Sequence, residues 1–180
     1  MNPRTQSIID KYYPEGTPLR DIYLLHCRSV ADFALRINQE QSLALDPDLV
    51  ESAAMLHDIG IFLTDADGID CHGSEPYIRH GILGAELLRK EGMPEDIARI
   101  AERHTGAGIT VEDIDEMKLP LPRRDYMPET LLERLVCFAD KFYSKTRLDS
   151  AKDLEKVRAS MLRHSPSTLK RFDTLYNAVS

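Results

Sequence analysis

Apolar residues recur at three- and four-residue intervals along most of the chain, the spacing that gives a helix one buried face. Thr17-Pro18 pairs a capping residue with a first-turn proline, and the apolar stripe then runs to about Gln39. Asp46-Pro47 repeats the device and predicts a helix stopped by Gly60. A polar loop follows from about Thr64 to Ser74. Glu75-Pro76 is expected to open the next helix, which Gly92 closes, and Met93-Pro94 to start another that ends near His104. Residues 105–128 form the longest irregular stretch, with room for a short helix over Val111–Lys118. Pro128 should open a helix over Leu131–Lys145, and 150–163 and 166–179 read as two more helices around Ser165-Pro166. No segment alternates apolar and polar residues over strand length. The expected fold is all-α, a compact helical bundle in a single domain, 1–180, with helices 150–180 packed on the rest.

The same stripes carry unexpected passengers. His26 shares a face with Val30, Phe33 and Ile37; His57 with Val50, Ala53 and Ala54; His104 with Ile97, Ile100 and Ala101. Asp140 aligns with Leu132, Val136 and Tyr143, and His80 with Tyr77, Gly84 and Leu87 or Leu88. Asp58 follows His57 where a buried helix is ending. One histidine on an apolar face is usually a hydrogen-bonded core residue, and one aspartate can pair with a lysine or arginine. Four histidines and two aspartates facing one core are harder to satisfy separately. A divalent cation satisfies them together, and imidazole with carboxylate suits iron or manganese, with zinc, magnesium, cobalt and nickel also possible. Gly81 and Gly84 cost about 1 kcal/mol each in a helix relative to alanine, which points to a close approach by a neighbour. His72 lies in the polar loop and His164 at a helix boundary, and both read as surface residues.

Three blocks carry a resemblance: His26, then His57-Asp58-Ile59-Gly60, then Asp140 in Phe-Ala-Asp-Lys. Over roughly residues 20–147 the chain resembles the HD superfamily of metal-dependent phosphohydrolases in its HDIG variant. The resemblance implies the HD-type helical bundle around a buried metal site. His26, His57, Asp58 and Asp140 would hold one ion; Asp58 would bridge to a second held by His80 and His104. The blocks His80-Gly-Ile-Leu-Gly84-Ala85 and His104-Thr-Gly are similar to the bacterial branch that hydrolyses diadenosine tetraphosphate symmetrically, although Ile61 stands where that branch carries lysine. A Gly-Tyr-Pro signature of the cyclic-di-GMP phosphodiesterase branch is missing at Thr105–Gly108.

Composition narrows the partners. A net charge of −7 argues against a nucleic-acid surface. No run approaches the roughly 18 apolar residues of a membrane span. The N-terminal residues lack the apolar core of a signal peptide. Cys27, Cys71 and Cys137 are odd in number and widely spaced, so reduced thiols in a cytoplasmic protein are expected. There is no P-loop.

Resemblance and donor chemistry together imply hydrolysis of a phosphate ester or anhydride in a small nucleotide-like substrate by metal-activated water, with Asp58 at the catalytic centre. Lys141 and Lys145 are the first choices for substrate phosphate, with Lys145 placed one turn on but 100–140° round the helix. Arg79, Arg103, Arg123 and Arg124 are further basic candidates near the ligands or in the long loop. A di-iron oxygenase on an HD-type scaffold and a non-catalytic metal-containing sensor are the alternatives, and a homo-oligomer is possible.

Overall fold

The structure, a computed structural model, describes residues 1–147 and 150–180. Side-chain caps set most helix starts. Asn2 accepts from the Arg4 N–H ahead of α1 (Pro3–Tyr12), and Thr17 accepts from Arg20 N–H ahead of α2 (Pro18–Glu40). Asp46 does the same for α3 (Pro47–Leu56), Thr130 for α7 (Leu131–Asp140), Asp153 for α8 (Leu154–His164) and Ser165 for α9 (Pro166–Val179). The remaining helices are α4 (His80–Lys90), α5 (Glu95–Arg103) and α6 (Val111–Met117), the last held by a reciprocal Thr110–Asp113 capping box.

Helix α2 lies at the centre. Its Tyr23, Cys27, Val30, Ala31 and Ala34 are inaccessible to solvent and meet Val50, Ala53 and Ala54 of α3 and Leu135 and Val136 of α7. Helix α4 packs on α5, and α5 in turn packs against α3 and α7. Phe172 of α9 is fully buried and stacks on Phe138 of α7 with centroids 5.4 Å apart, so the C-terminal pair α8–α9 shares this core. Residues 105–128 fold around a second small core of Ile82, Ile109, Ile114 and Tyr126.

Four details differ from the sequence expectations. Helix α3 ends at Leu56 rather than Gly60, and the His57-Asp58 doublet occupies the turn that follows. The polar loop contains a small sheet of β1 (Thr64–Ala66), β2 (Cys71–His72) and β3 (Glu75–Pro76) in the order β2-β1-β3. Asp65 pairs antiparallel with His72, and Thr64 parallel with Glu75. Strands of two or three residues are too short to show a period of two. Glu75-Pro76 is therefore an edge strand, not a helix start, and a short 3-10 turn over Tyr77–Arg79 leads into α4. Helix α7 stops at Asp140, so Lys141 to Lys145 leave the helix in a turn instead of continuing it. Helix α1 is an addition: Asn2-Pro3 carries the same start signal as Thr17-Pro18.

Glycine allows a close backbone contact beside the site. A Cβ on Gly60 would lie 2.3 Å from the His80 carbonyl oxygen and 2.5 Å from the Gly84 N. The doublet's turn and α4 thus touch backbone to backbone.

Candidate metal centre

The six side chains arrive from five places. His26 comes from the middle of α2, His57 and Asp58 from the turn after α3, His80 from the first residue of α4, His104 from the end of α5 and Asp140 from the end of α7. All six are buried. His26 Nε2 lies 3.1 Å from Asp58 Oδ2 and 3.1 Å from Asp140 Oδ1, and His57 Nε2 lies 3.2 and 3.5 Å from the same two oxygens. On the other side of the Asp58 carboxylate, Oδ1 is 3.4 Å from His80 Nε2 and 3.2 Å from His104 Nε2. Asp58 therefore belongs to two groups of ligand-type atoms, one through each oxygen.

Helix ends fix the ring orientations. The last four carbonyls of a helix have no partner inside it. His57 Nδ1 donates to the Ala54 carbonyl at 2.6 Å and His104 Nδ1 to the Ala101 carbonyl at 2.8 Å, each using one of these free acceptors. His80 Nδ1 donates to the Tyr77 carbonyl in the 3-10 turn at 2.6 Å. A carbonyl only accepts, so each Nδ1 carries the proton, and in the neutral ring Nε2 is left as a lone pair. His80 and His104 then point two lone pairs at each other across 3.0 Å. Neither oxygen of buried Asp58 takes a well-directed hydrogen bond. The facing lone pairs, and an Asp58 Oδ1 left without a hydrogen bond beside them, are what a shared cation would resolve. The 3.0–3.5 Å spacings also match the edges of a shell with bonds of about 2.0–2.2 Å. The donor set fits divalent metal.

Charge in the site is arranged in halves. Burial would raise the Asp58 acid, yet Lys145 and His57 hold it well below the usual carboxylate range. Asp140 is likewise held down against burial, chiefly by Lys141. Burial opposes charging His57, but Asp58 overrides it and raises its pKa well above the usual value. His80, desolvated and beside His104, is pushed down to about 3 and is a neutral donor.

The structure brings Lys141 and Lys145 into this centre. Lys145 Nζ, carried by the turn that follows α7, sits 2.6 Å from Asp58 Oδ2. Lys141 Nζ is 2.6 Å from Asp140 Oδ2 and donates to the His104 carbonyl at 2.9 Å. Both line a cleft of about 430 Å³ whose walls include Ile69, Tyr77, Tyr143 and Met161. Lys152, which the sequence did not single out, lines it too. Burial lowers the Lys152 pKa, with Lys141, Arg163 and Lys145 adding to the effect and Asp140 opposing it.

Other candidates lie elsewhere. Arg79 pairs with Glu75, Arg103 with Glu129, Arg123 with Asp115 and Arg124 with Glu102, none of them at the cluster. His72 is exposed between Asp67 and Asp70, and His164 is exposed. The three cysteines are buried and free. Among the described residues, no helix is long and apolar enough to cross a membrane.

Comparison with known proteins decides the family, because the HD domain matches residues 23–144. The chain belongs to the HD domain family. An uncharacterized protein of Methanocaldococcus jannaschii is 36% identical over 158 residues, 86% of this chain and 86% of that protein. A tRNA (cytidine(56)-2'-O)-methyltransferase of Picrophilus torridus is 40% identical over 134 residues, 74% of this chain. This HD chain spans only 35% of that methyltransferase's length. In structure it is similar to the HD domain of the phosphodiesterase PgpH from L. monocytogenes, with a TM-score of 0.57, 18% identity and coverage of 97% and 96% of the two chains. The same domain in complex with cyclic-di-AMP gives a TM-score of 0.54 at 17% identity. At those identities the likeness is one of fold.

Proposed function

We propose that this HD domain is a metal-dependent phosphohydrolase cleaving a phosphate ester or anhydride of a small nucleotide-like substrate. The observation that carries the reading is Asp58, which faces two histidine groups through its two oxygens and a lysine-lined cleft beside them. His26, His57, Asp58 and Asp140 would hold one ion, and His80 and His104 with Asp58 a second. Bound there, divalent ions supply an ionised water near neutral pH and electrophilic stabilisation of the phosphoryl oxygens.

The chain's own residues do the rest. Neutral His80 and the carbonyl-anchored ring of His104 present lone pairs without rearrangement, and the anchored ring of His57 would do so on giving up its Nε2 proton. Lys145 offers an ammonium beside Asp58, where it can hydrogen-bond a phosphoryl oxygen; Lys141 braces Asp140 and the end of α5. Tyr77 stacks on His80 with centroids 4.6 Å apart and lines the cleft. The nucleotide preference is supported by the cationic cleft and by the cyclic-di-AMP complex of the PgpH domain.

The test is phosphate release by protein loaded with manganese or iron. The substrate panel contains phosphomonoesters, cyclic dinucleotides and diadenosine tetraphosphate, the last chosen for the sequence resemblance. Release should require metal and fall to background in His57→Ala and Asp58→Ala. Release that persists in both variants would assign it to another site. Oxygen uptake that depends on reduced iron would favour the oxygenase alternative instead.

A further inference from the structure

The cleft carries a positive charge that the metal cluster does not use. Lys145 is met by Asp58 at 2.6 Å, and Lys141 by Asp140 at 2.6 Å. Lys152 differs from both. Its backbone N–H donates to the Phe142 carbonyl at 2.8 Å, which ties the segment after 150 to the turn that follows α7. Its ammonium reaches no nearer partner than the Lys141 carbonyl at 3.5 Å, and among the described residues no carboxylate pairs with it. That distance is too long to anchor a half-buried cation strongly. The residue nevertheless lines the same cleft as Lys141 and Lys145. Gathering three ammonium groups around one cleft is unfavourable unless an anion joins them. Lys152 also lies beyond residues 23–144 that match the family.

We propose that Lys152 is a specificity determinant that receives a second anionic group of the substrate, while the scissile phosphate sits at Asp58 and Asp140. The substrate class is then an organic phosphate with two separated anionic groups, such as a nucleoside bisphosphate or linked nucleotides, in preference to a simple phosphomonoester. The assignment rests on the phosphohydrolase reading for the position of the first phosphate.

The probes are adenosine 5′-monophosphate and adenosine 3′,5′-bisphosphate, titrated calorimetrically into the full-length manganese-loaded protein. KM and kcat are measured as well wherever turnover occurs. Wild type should bind the bisphosphate at least about ten-fold more tightly, the scale of one hydrogen-bonded charge pair. Lys152→Gln should bring the affinity ratio near one through KM rather than kcat, and Lys152→Arg should keep most of it. Lys156→Gln, at an exposed lysine paired with Asp153, should leave the ratio as in wild type. Melting curves show whether each variant is folded. An unchanged ratio in folded Lys152→Gln, equal wild-type affinities, or no binding of either nucleotide would each overturn the proposal. Phosphate release by Asp58→Ala, run in parallel, keeps the two readings apart. Selective binding without Asp58-dependent release sinks the hydrolase reading and leaves Lys152 assigned; Asp58-dependent release without selectivity does the reverse.

Discussion

Replacing Gly60 by alanine tests how far the centre depends on a single backbone contact. The added methyl would lie 2.3 Å from the His80 carbonyl oxygen, where real contacts stay above 3.0 Å, so the turn and α4 must separate by at least 0.7 Å. Neither side can yield by a rotamer change, since both are backbone. Overpacking of this kind costs roughly 1–3 kcal/mol. For a chain of this size that corresponds to a drop in Tm of roughly 4–8 °C at about 2 kcal/mol. The same movement carries His80 away from Asp58 Oδ1, 3.4 Å distant in the wild type, while His26, His57 and Asp140 stay with their own elements. Gly60→Ala should therefore lose the ion assigned to His80 and His104 before the other. The assay is thermal melting together with metal per chain by elemental analysis after manganese loading. Gly68→Ala is the control, because nothing lies within 4 Å of its added methyl and its φ is not positive. A Gly60→Ala protein that melts within a degree of wild type with the same metal content would refute the close-contact argument.

Further outcomes follow from other parts of the molecule. Lys145→Met removes the ammonium beside Asp58 and should lower kcat/KM by roughly 10²–10³, the range for losing one preorganised charge contact; steady-state kinetics with intact metal content checks it. Metal binding should release a proton and strengthen as pH rises, because Asp58 keeps His57 protonated in the metal-free fold while an ion needs the neutral ring. Calorimetry in buffers of different ionisation enthalpy measures that proton; affinity that is flat with pH would contradict it. Phe172→Ala should destabilise the whole chain by about 3–5 kcal/mol in one cooperative transition, since Phe172 is buried against Phe138 in the common core. Two separate unfolding transitions in urea would show that α8–α9 form an independent unit.

Much of the centre was legible because its ligands sit on helices. His26, His104 and Asp140 share faces with apolar residues, and that periodicity survives without coordinates. His57 and Asp58 were recognisable as residues at the end of a buried helix, even though α3 stops four residues before Gly60. Lys145 shows the limit. No glycine or proline marks the end of α7, so the apolar pattern through Tyr143 implied more helix and turned the ammonium away from the ligands. The exit depends on the tertiary packing of residues 141–147, which no local signal encodes. Lys152 escaped for a related reason: nothing near it in sequence resembles a site, and only the fold returns it to the cleft. The small sheet was hidden by strands of two and three residues.

The imidazoles anchored to free helix-end carbonyls have a consequence for how such a molecule can diversify. The aim of His57 and His104 is set within three residues of each ring, independently of the stretches that wall the cleft. Segments 64–77 and 141–161 can then exchange side chains over evolutionary time while the reactive floor stays in register. One inherited engine can be refitted for new cargo by rewriting its rim alone.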